Sequence, residues 1–171
     1  MRKSIFAIGF LFSAMCAWSQ HVEFEEYKLP NGLHVILQQD KSAPVVTASV
    51  MYHVGAKNEN PDRTGFAHFF EHLLFEGTEN IGRGQWFKIV AANGGQNNAN
   101  TTDDRTYYYE TFPSNNLQLS LWMESERMLH PVINQIGVNT QREVVKEEKR
   151  LRIDNVPYGQ LLKAVKENIF K

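Results

Sequence analysis

The pattern of apolar and polar positions along the chain predicts four β-strands. Residues 23–29 and 33–38 flank Pro30-Asn31-Gly32, and an Asn-Gly pair between two such runs is typical of a tight hairpin turn. Residues 45–55 alternate around β-branched side chains, and residues 105–112 form a further run rich in tyrosine and threonine.

Helical periodicity predicts five helices that cover this sheet, so the predicted fold is α+β with a mostly antiparallel sheet. The predicted helices span residues 66–75, 86–92, 114–129, 138–154 and 161–170. In the third helix we expect Ser114 to be the N-cap. Its large apolar side chains fall largely on one face, which we expect to belong to the core: Leu117, Leu121, Trp122, Met128 and Leu129.

The N-terminal residues have the pattern of a targeting signal. A basic pair precedes an apolar run, residues 5–17, that is too short to anchor the chain across a bilayer. Cleavage after Ser19 would separate a signal peptide, residues 1–19, from a domain formed by residues 20–171. We therefore expect an exported protein, located in a bacterial periplasm, with no transmembrane anchor; a lipid anchor on Cys16 is the alternative.

Composition narrows the classes of function. The formal net charge is −1 with both signs mixed, which gives no reason to expect nucleic acid or a membrane surface as a partner. Cys16 is the only cysteine, so the mature domain would have no thiol for a disulfide or a metal. A metal site would therefore have to use histidine and carboxylate side chains.

Two histidines four residues apart indicate such a site. His68 and His72 belong to the sequence His-Phe-Phe-Glu-His, and positions i and i+4 lie on the same face of a helix. Both imidazoles can therefore reach one zinc ion, and Glu71 leans toward the same face. This H-x-x-E-H order reverses the H-E-x-x-H motif of many metalloproteases. The alternative is a helix that carries two solvated histidines.

The residues around the motif favour the metal site. The helix is apolar nearly all round, which predicts that it is buried and that His68, Glu71 and His72 need polar partners. A metal would satisfy all three side chains at once. Thr64 lies just before the helix and is the predicted N-cap.

A third protein ligand is expected on the distal helix, residues 138–154, which offers three glutamates. Glu148 has valine at i−4 and i−3 and leucine at i+3, so it lies on the apolar stripe. Glu143 and Glu147 have charged neighbours and are expected to face solvent. We therefore expect Glu148 to complete the site with the two histidines.

Three separated segments make the chain resemble the N-terminal catalytic part of the pitrilysin/insulinase-type zinc peptidases. They are GFAHFFEHLLFEGTEN, GGQNNANT and QREVVKEEKR, in this order. In that family the third metal ligand is a glutamate about 75 residues after the second histidine, so the resemblance also selects Glu148. It implies one Zn²⁺ per chain, bound by His68, His72 and Glu148.

The resemblance also suggests a function for residues 97–102, whose composition is that of a polar loop. In the family the equivalent stretch is an edge strand near the metal, along which a peptide substrate pairs as an added strand. The corresponding positions are Asn98, Ala99, Asn100 and Thr101. Many relatives carry an aromatic residue where this chain has Asn100.

The chain departs from the family pattern in two further ways. Gln141 stands seven residues before Glu148, where many relatives have a glutamate, and it is the candidate for a residue that supports a metal ligand from behind. The chain is also shorter than one of the paired α/β domains of the family. Residues 20–171 are therefore expected to form a truncated N-terminal metallopeptidase domain.

The activity implied by the resemblance is that of a zinc-dependent endopeptidase acting on extended or unfolded peptides, with Glu71 as general base. A second homologous domain or subunit would complete the substrate chamber. The alternative is a half-site subunit or fragment that binds zinc and peptide, or a partner chain, but is inactive alone.

Overall fold

The computed structural model describes residues 22–169 of the chain. The predicted signal peptide, residues 1–19, and Cys16 lie outside the described residues, so cleavage and location stay predictions. Among the described residues, no helix is both long and apolar enough to cross a membrane.

The described residues fall into two compact units, with the boundary between Ala43 and Pro44. The described part of the first unit contains the predicted hairpin, in which β1 (Glu25–Lys28) pairs antiparallel with β2 (His34–Leu37). The turn uses Gly32 at a φ of 89°, and the Asn31 side chain accepts a hydrogen bond from the Leu33 backbone N–H at 3.1 Å. The Asn-Gly signal therefore predicted this element correctly.

The second unit contains a three-stranded antiparallel sheet. Its strands are β3 (Val45–Tyr52), β4 (Gln96–Thr101) and β5 (Thr106–Pro113), in the order β3-β5-β4. The prediction of strands at 45–55 and 105–112 is confirmed. The composition of residues 97–102 suggested a polar loop, but residues 97–101 belong to β4, an edge strand as the resemblance implied. They form a strand because they pair with the strongly β-prone β5.

Helices accompany this sheet, which confirms the predicted α+β class. They are α1 (Phe66–Leu73), α2 (Trp86–Ala92), α3 (Leu117–Leu129), α4 (Gln135–Lys149) and α5 (Leu161–Ile169). A π-helical turn, Arg150–Asp154, continues α4. A core of five side chains lies between the sheet, α2 and α3: Ile81, Trp86, Val90, Phe112 and Met123.

The predicted core stripe of α3 is wrong. Most of its apolar side chains are exposed, with Leu121 at 56% and Leu129 at 71% exposure, and Met128 is only partly buried. The buried face instead carries Ser120, Met123, Glu124, Glu126 and Arg127. Ser114 is not the N-cap, since it lies in a separate 3₁₀ turn, Ser114–Asn116, before the helix.

Arg127 explains why a polar face of α3 is buried. Its guanidinium lies 4.0 Å from the centroid of the Trp86 ring, and 4.4 Å from the centroids of Phe75 and Tyr108. It forms an ion pair with Glu124, where Nε and Oε2 are 3.1 Å apart. Cation–π contacts and an ion pair together satisfy a charge that would otherwise be excluded from the interior.

A second carboxylate, Glu110 on β5, completes this buried cluster. Its Oε1 accepts a hydrogen bond from Trp86 Nε1 at 2.7 Å and lies 3.5 Å from Arg127 Nη2. Burial, reinforced by the nearby Glu124 carboxylate, raises the pKa of Glu110 to about 7. The Arg127 guanidinium opposes this rise in the pKa, but it is shared with Glu124, and burial still disfavours the charged form of Glu110.

Replacing Glu110 by glutamine is expected to change how stability depends on pH. Because the pKa of Glu110 is raised in the folded state, its contribution to the free energy of unfolding depends on pH. This contribution is fully present below about pH 4.5 and is lost as the pH rises through 7. Relative to the wild type, Glu110→Gln should therefore gain about 1–3 kcal/mol of unfolding free energy between pH 5 and pH 8. Urea unfolding with a chelator present measures this, and parallel pH profiles for the two proteins would contradict it.

Candidate metal centre

Helix α1 begins without the predicted Thr64 cap. Its N-cap is Gly65, whose φ of 96° lies in the left-handed region that glycine tolerates. The Glu59 carboxylate accepts hydrogen bonds from the backbone N–H of Gly65 at 2.6 Å and of Ala67 at 2.7 Å. A carboxylate at this end also interacts favourably with the helix dipole. Glu59 was missed because it lies in the preceding loop, outside the usual capping positions.

Burial of α1 is only partial, contrary to the prediction. Ala67, Glu71 and Leu73 are buried, whereas Phe66 and Phe70 are about half exposed. These two rings line an apolar cavity on the side of α1 that faces Tyr52 and Tyr108. The apolar sequence of the helix therefore reflects two different surfaces, a buried one and an open one.

The polar face of α1 brings both predicted histidines to one point opposite α4. Nε2 of His68 and Nε2 of His72 are 3.2 Å apart. Glu148 Oε2 lies 3.2 Å from His72 Nε2 and 3.7 Å from His68 Nε2. One ligand atom from each residue lies within 4.8 Å of the others, so the structure brings together the three residues that the sequence selected.

This spacing fits a zinc ion. Ligand atoms at about 2.0–2.1 Å from a tetrahedral zinc lie about 3.4 Å from one another, close to the three distances found here. Two imidazole nitrogens and one carboxylate oxygen also match the ligands of catalytic zinc sites, which keep a fourth position open.

Glu148 is less exposed than the two neighbouring glutamates, as the apolar stripe of the helix predicted. Its side chain is 20% exposed, whereas those of Glu143 and Glu147 are 62% and 49% exposed and form ion pairs with basic residues of the same helix. The other oxygen of Glu148, Oε1, lies 2.7 Å from Arg152 Nη1. Arg152 was missed, although its i+4 spacing on a helix could have indicated it.

Glu71 lies apart from this cluster despite being adjacent to His72. It is buried, and its Oε2 accepts a hydrogen bond from the Thr101 hydroxyl on β4 at 2.5 Å. The same contact links α1 to the edge of the sheet. The carboxylate is therefore held beside the three clustered residues without being one of them.

A second layer of side chains supports His72. Its Nδ1 lies 3.2 Å from Gln141 Oε1, and Gln141 Nε2 donates to Glu76 Oε1 at 2.5 Å. Glu76 is in turn paired with Arg83. Gln141 therefore lies where the sequence suggested, while Glu76 and Arg83 were missed because they lie in the irregular segment after α1.

The four residues expected to contact substrate lie on β4. Among the described strands, β4 pairs only with β5 and is an edge of its sheet. The side chains of Asn98 and Asn100 point to the more exposed face of the sheet, and Thr101 is the residue that reaches Glu71. The strand thus runs directly past the buried carboxylate of α1.

The chain is similar in sequence to known peptidases. The family described as "Insulinase (Peptidase family M16)" matches residues 34–171. The chain is 37% identical over 152 residues to "Zinc protease PqqE" of Helicobacter pylori, which covers 88% of this chain and 34% of that protein. It is 29% identical over 138 residues to the yeast "Mitochondrial-processing peptidase subunit beta" from Saccharomyces cerevisiae, covering 78% and 30%.

A solved structure is also similar. The crystal structure of a protease from Helicobacter pylori superposes with a TM-score of 0.79 at 38% identity, covering 82% of this chain and 34% of that one. The chain thus spans about a third of the length of these relatives. A further relative, from Streptomyces coelicolor, is also named a zinc protease. The chain belongs to the insulinase family of peptidases, family M16.

Proposed function

We propose that this chain forms the metal-bearing part of a zinc endopeptidase that hydrolyses extended or unfolded peptides. The convergence of His68, His72 and Glu148 at zinc-ligand spacing carries this proposal. Family membership supports it, because the relatives include proteins named zinc proteases.

The chemistry of the site would be divided between the ion and the protein. When bound, zinc supplies Lewis-acid chemistry, which polarises a carbonyl group and acidifies water. His68, His72 and Glu148 would hold the ion, and Gln141 and Arg152 would orient His72 and Glu148 through the contacts that they make.

Glu71 is the proposed general base. The Thr101 hydroxyl donates to Oε2, which fixes the plane of the carboxylate and leaves Oε1 to accept a proton from water. The same oxygen would then return that proton to the leaving amine. Its position outside the three-residue cluster suits a group that must change protonation state without holding the ion.

Strand β4 is the proposed guide for substrate. A peptide that pairs with an edge strand is held extended through backbone hydrogen bonds, with little demand on its sequence. The Ala99 N–H already bonds to the Asn98 side chain at 2.9 Å, so this backbone donor can reach an acceptor outside β5. Extended peptides are therefore the substrate class that this edge suits.

Glu71→Gln should separate catalysis from metal binding. The amide keeps the shape of the side chain but cannot accept the proton, so turnover of a quenched peptide library should fall by about 10²–10⁴. Zinc should stay bound at one ion per chain. Metal content by mass spectrometry beside the rate assay measures both quantities.

The possible results distinguish the two functions considered for this chain. Turnover that is lost in Glu71→Gln supports a self-sufficient peptidase. One zinc per chain with no turnover in either protein supports the half-site alternative, in which a second domain or subunit completes the chamber. Loss of zinc in Glu71→Gln contradicts the role given to Glu71.

His72→Ala should remove the metal. Loss of a residue that supports a ligand weakens metal affinity by about 10–100-fold. Deleting one of the three protein ligands is expected to weaken zinc affinity further than that. His130→Ala is the matched control, because His130 is a partly exposed histidine outside the three-residue cluster, with Nδ1 3.6 Å from Glu79 Oε2. Competition with a chromogenic chelator gives the affinities, and equal values for both variants would contradict the assignment.

A further inference from the structure

Four side chains form one series of hydrogen bonds that runs from the loop between α1 and α2 to the ring of His72. Arg83 Nε donates to Glu76 Oε2, and Gln141 Nε2 donates to Glu76 Oε1 at 2.5 Å. Gln141 Oε1 then lies 3.2 Å from His72 Nδ1. The series therefore links the loop that carries Arg83 to the ring of a proposed zinc ligand.

The donor and acceptor groups of these side chains determine the direction of each hydrogen bond in the series. Arginine has only donors and an ionised carboxylate has only acceptors, so Glu76 must receive hydrogen bonds from both Arg83 and Gln141. The amide of Gln141 has to turn its NH₂ group to Glu76, which leaves its carbonyl oxygen for His72. That oxygen can only accept, so it favours the tautomer of neutral His72 with the proton on Nδ1 and the lone pair on Nε2. Without a cation, Glu148 Oε2 is a competing acceptor 3.2 Å from Nε2, so the test has to remove it.

The surroundings of Glu76 show that it is built into the fold. Its side chain is 8% exposed, and a Cβ atom added at Gly137 on α4 would lie 3.2 Å from both Cγ and Oε2 of Glu76. Gly137 thus leaves the room in which the carboxylate sits. Since α4 also carries Gln141, the close approach of these two residues holds the amide against the carboxylate.

We propose that Glu76 is a positioning residue, which fixes the amide of Gln141 and through it directs the Nε2 lone pair of His72 toward the metal site. The proposal deepens the proposed function and rests on it for the identity of the metal. The direction of the hydrogen bonds can be tested in the metal-free protein, independently of zinc and of activity.

Glu76→Gln should reverse the series. The new amide must give its carbonyl oxygen to Arg83, so its NH₂ group faces Gln141, which then turns its own NH₂ group to His72. Nδ1 must accept, and the proton moves to Nε2. Nitrogen-15 NMR is recorded on the metal-free protein with the imidazole neutral and with Glu148 replaced by alanine throughout, so that no carboxylate competes for a proton on Nε2. It should report Nδ1–H where Glu76 is kept and Nε2–H in Glu76→Gln. Zinc affinity should fall by about 10–100-fold.

Gln141→Glu in the Glu76→Gln background should restore the original direction. A carboxylate at position 141 accepts from the amide at position 76 and from Nδ1–H of His72, so both the tautomer and zinc affinity should return close to wild-type values. Gln141→Glu alone would oppose two carboxylates at the 2.5 Å contact and should weaken zinc binding. Gln135→Glu, the same change at an exposed position of α4, is the matched control and should alter neither quantity.

Two results would overturn the proposal: an unchanged Nδ1–H tautomer in Glu76→Gln, or a double variant no closer to wild type than Glu76→Gln itself. Thermal unfolding of each metal-free variant shows that the comparison is made between folded proteins. If the wild type binds no zinc, the proposed function fails, while the tautomer of His72 still decides the role of Glu76.

Discussion

The hydrogen bond from buried Arg127 to helix α1 is the interaction on which the site most depends. Nη1 of Arg127 donates to the carbonyl oxygen of Leu74, the residue that ends α1, at 3.2 Å. The aromatic rings around the guanidinium and the Glu124 carboxylate keep that donor in place. At the other end Glu59 bonds to the first backbone N–H groups of the helix. A short helix with little stability of its own is thereby fixed at both ends.

With α1 fixed, the position of α4 determines whether a metal site forms. Gln141 and Glu148 lie two turns apart on one face of α4, and both reach His72, one at Nδ1 and the other at Nε2. The Glu76 side chain fills the space beside Gly137 and so limits how α4 can slide along α1. The packing of α4 against α1 therefore places Glu148 at Nε2 and Gln141 at Nδ1 of the same imidazole ring.

The sequence was most informative where local spacing determines geometry. The i, i+4 histidines and the apolar neighbours of Glu148 both follow from helix periodicity, and the structure brings these residues together. Contacts between distant segments could not be predicted in this way. The buried face of α3 depends on rings and carboxylates from three other segments, and β4 exists because a polar segment pairs with β5. Periodicity assigns apolar side chains to the interior, so it chose the wrong face of α3.

The central claim is that His68, His72 and Glu148 hold one zinc ion, and X-ray absorption at the zinc edge tests it most directly. On the chain loaded with one equivalent of zinc, the account predicts two imidazole nitrogens and carboxylate or water oxygens at about 2.0–2.2 Å, with no sulfur. The His72→Ala variant is expected to lose the ion, so it should give no zinc spectrum above background. A zinc shell with fewer than two imidazoles in the wild type would contradict the account.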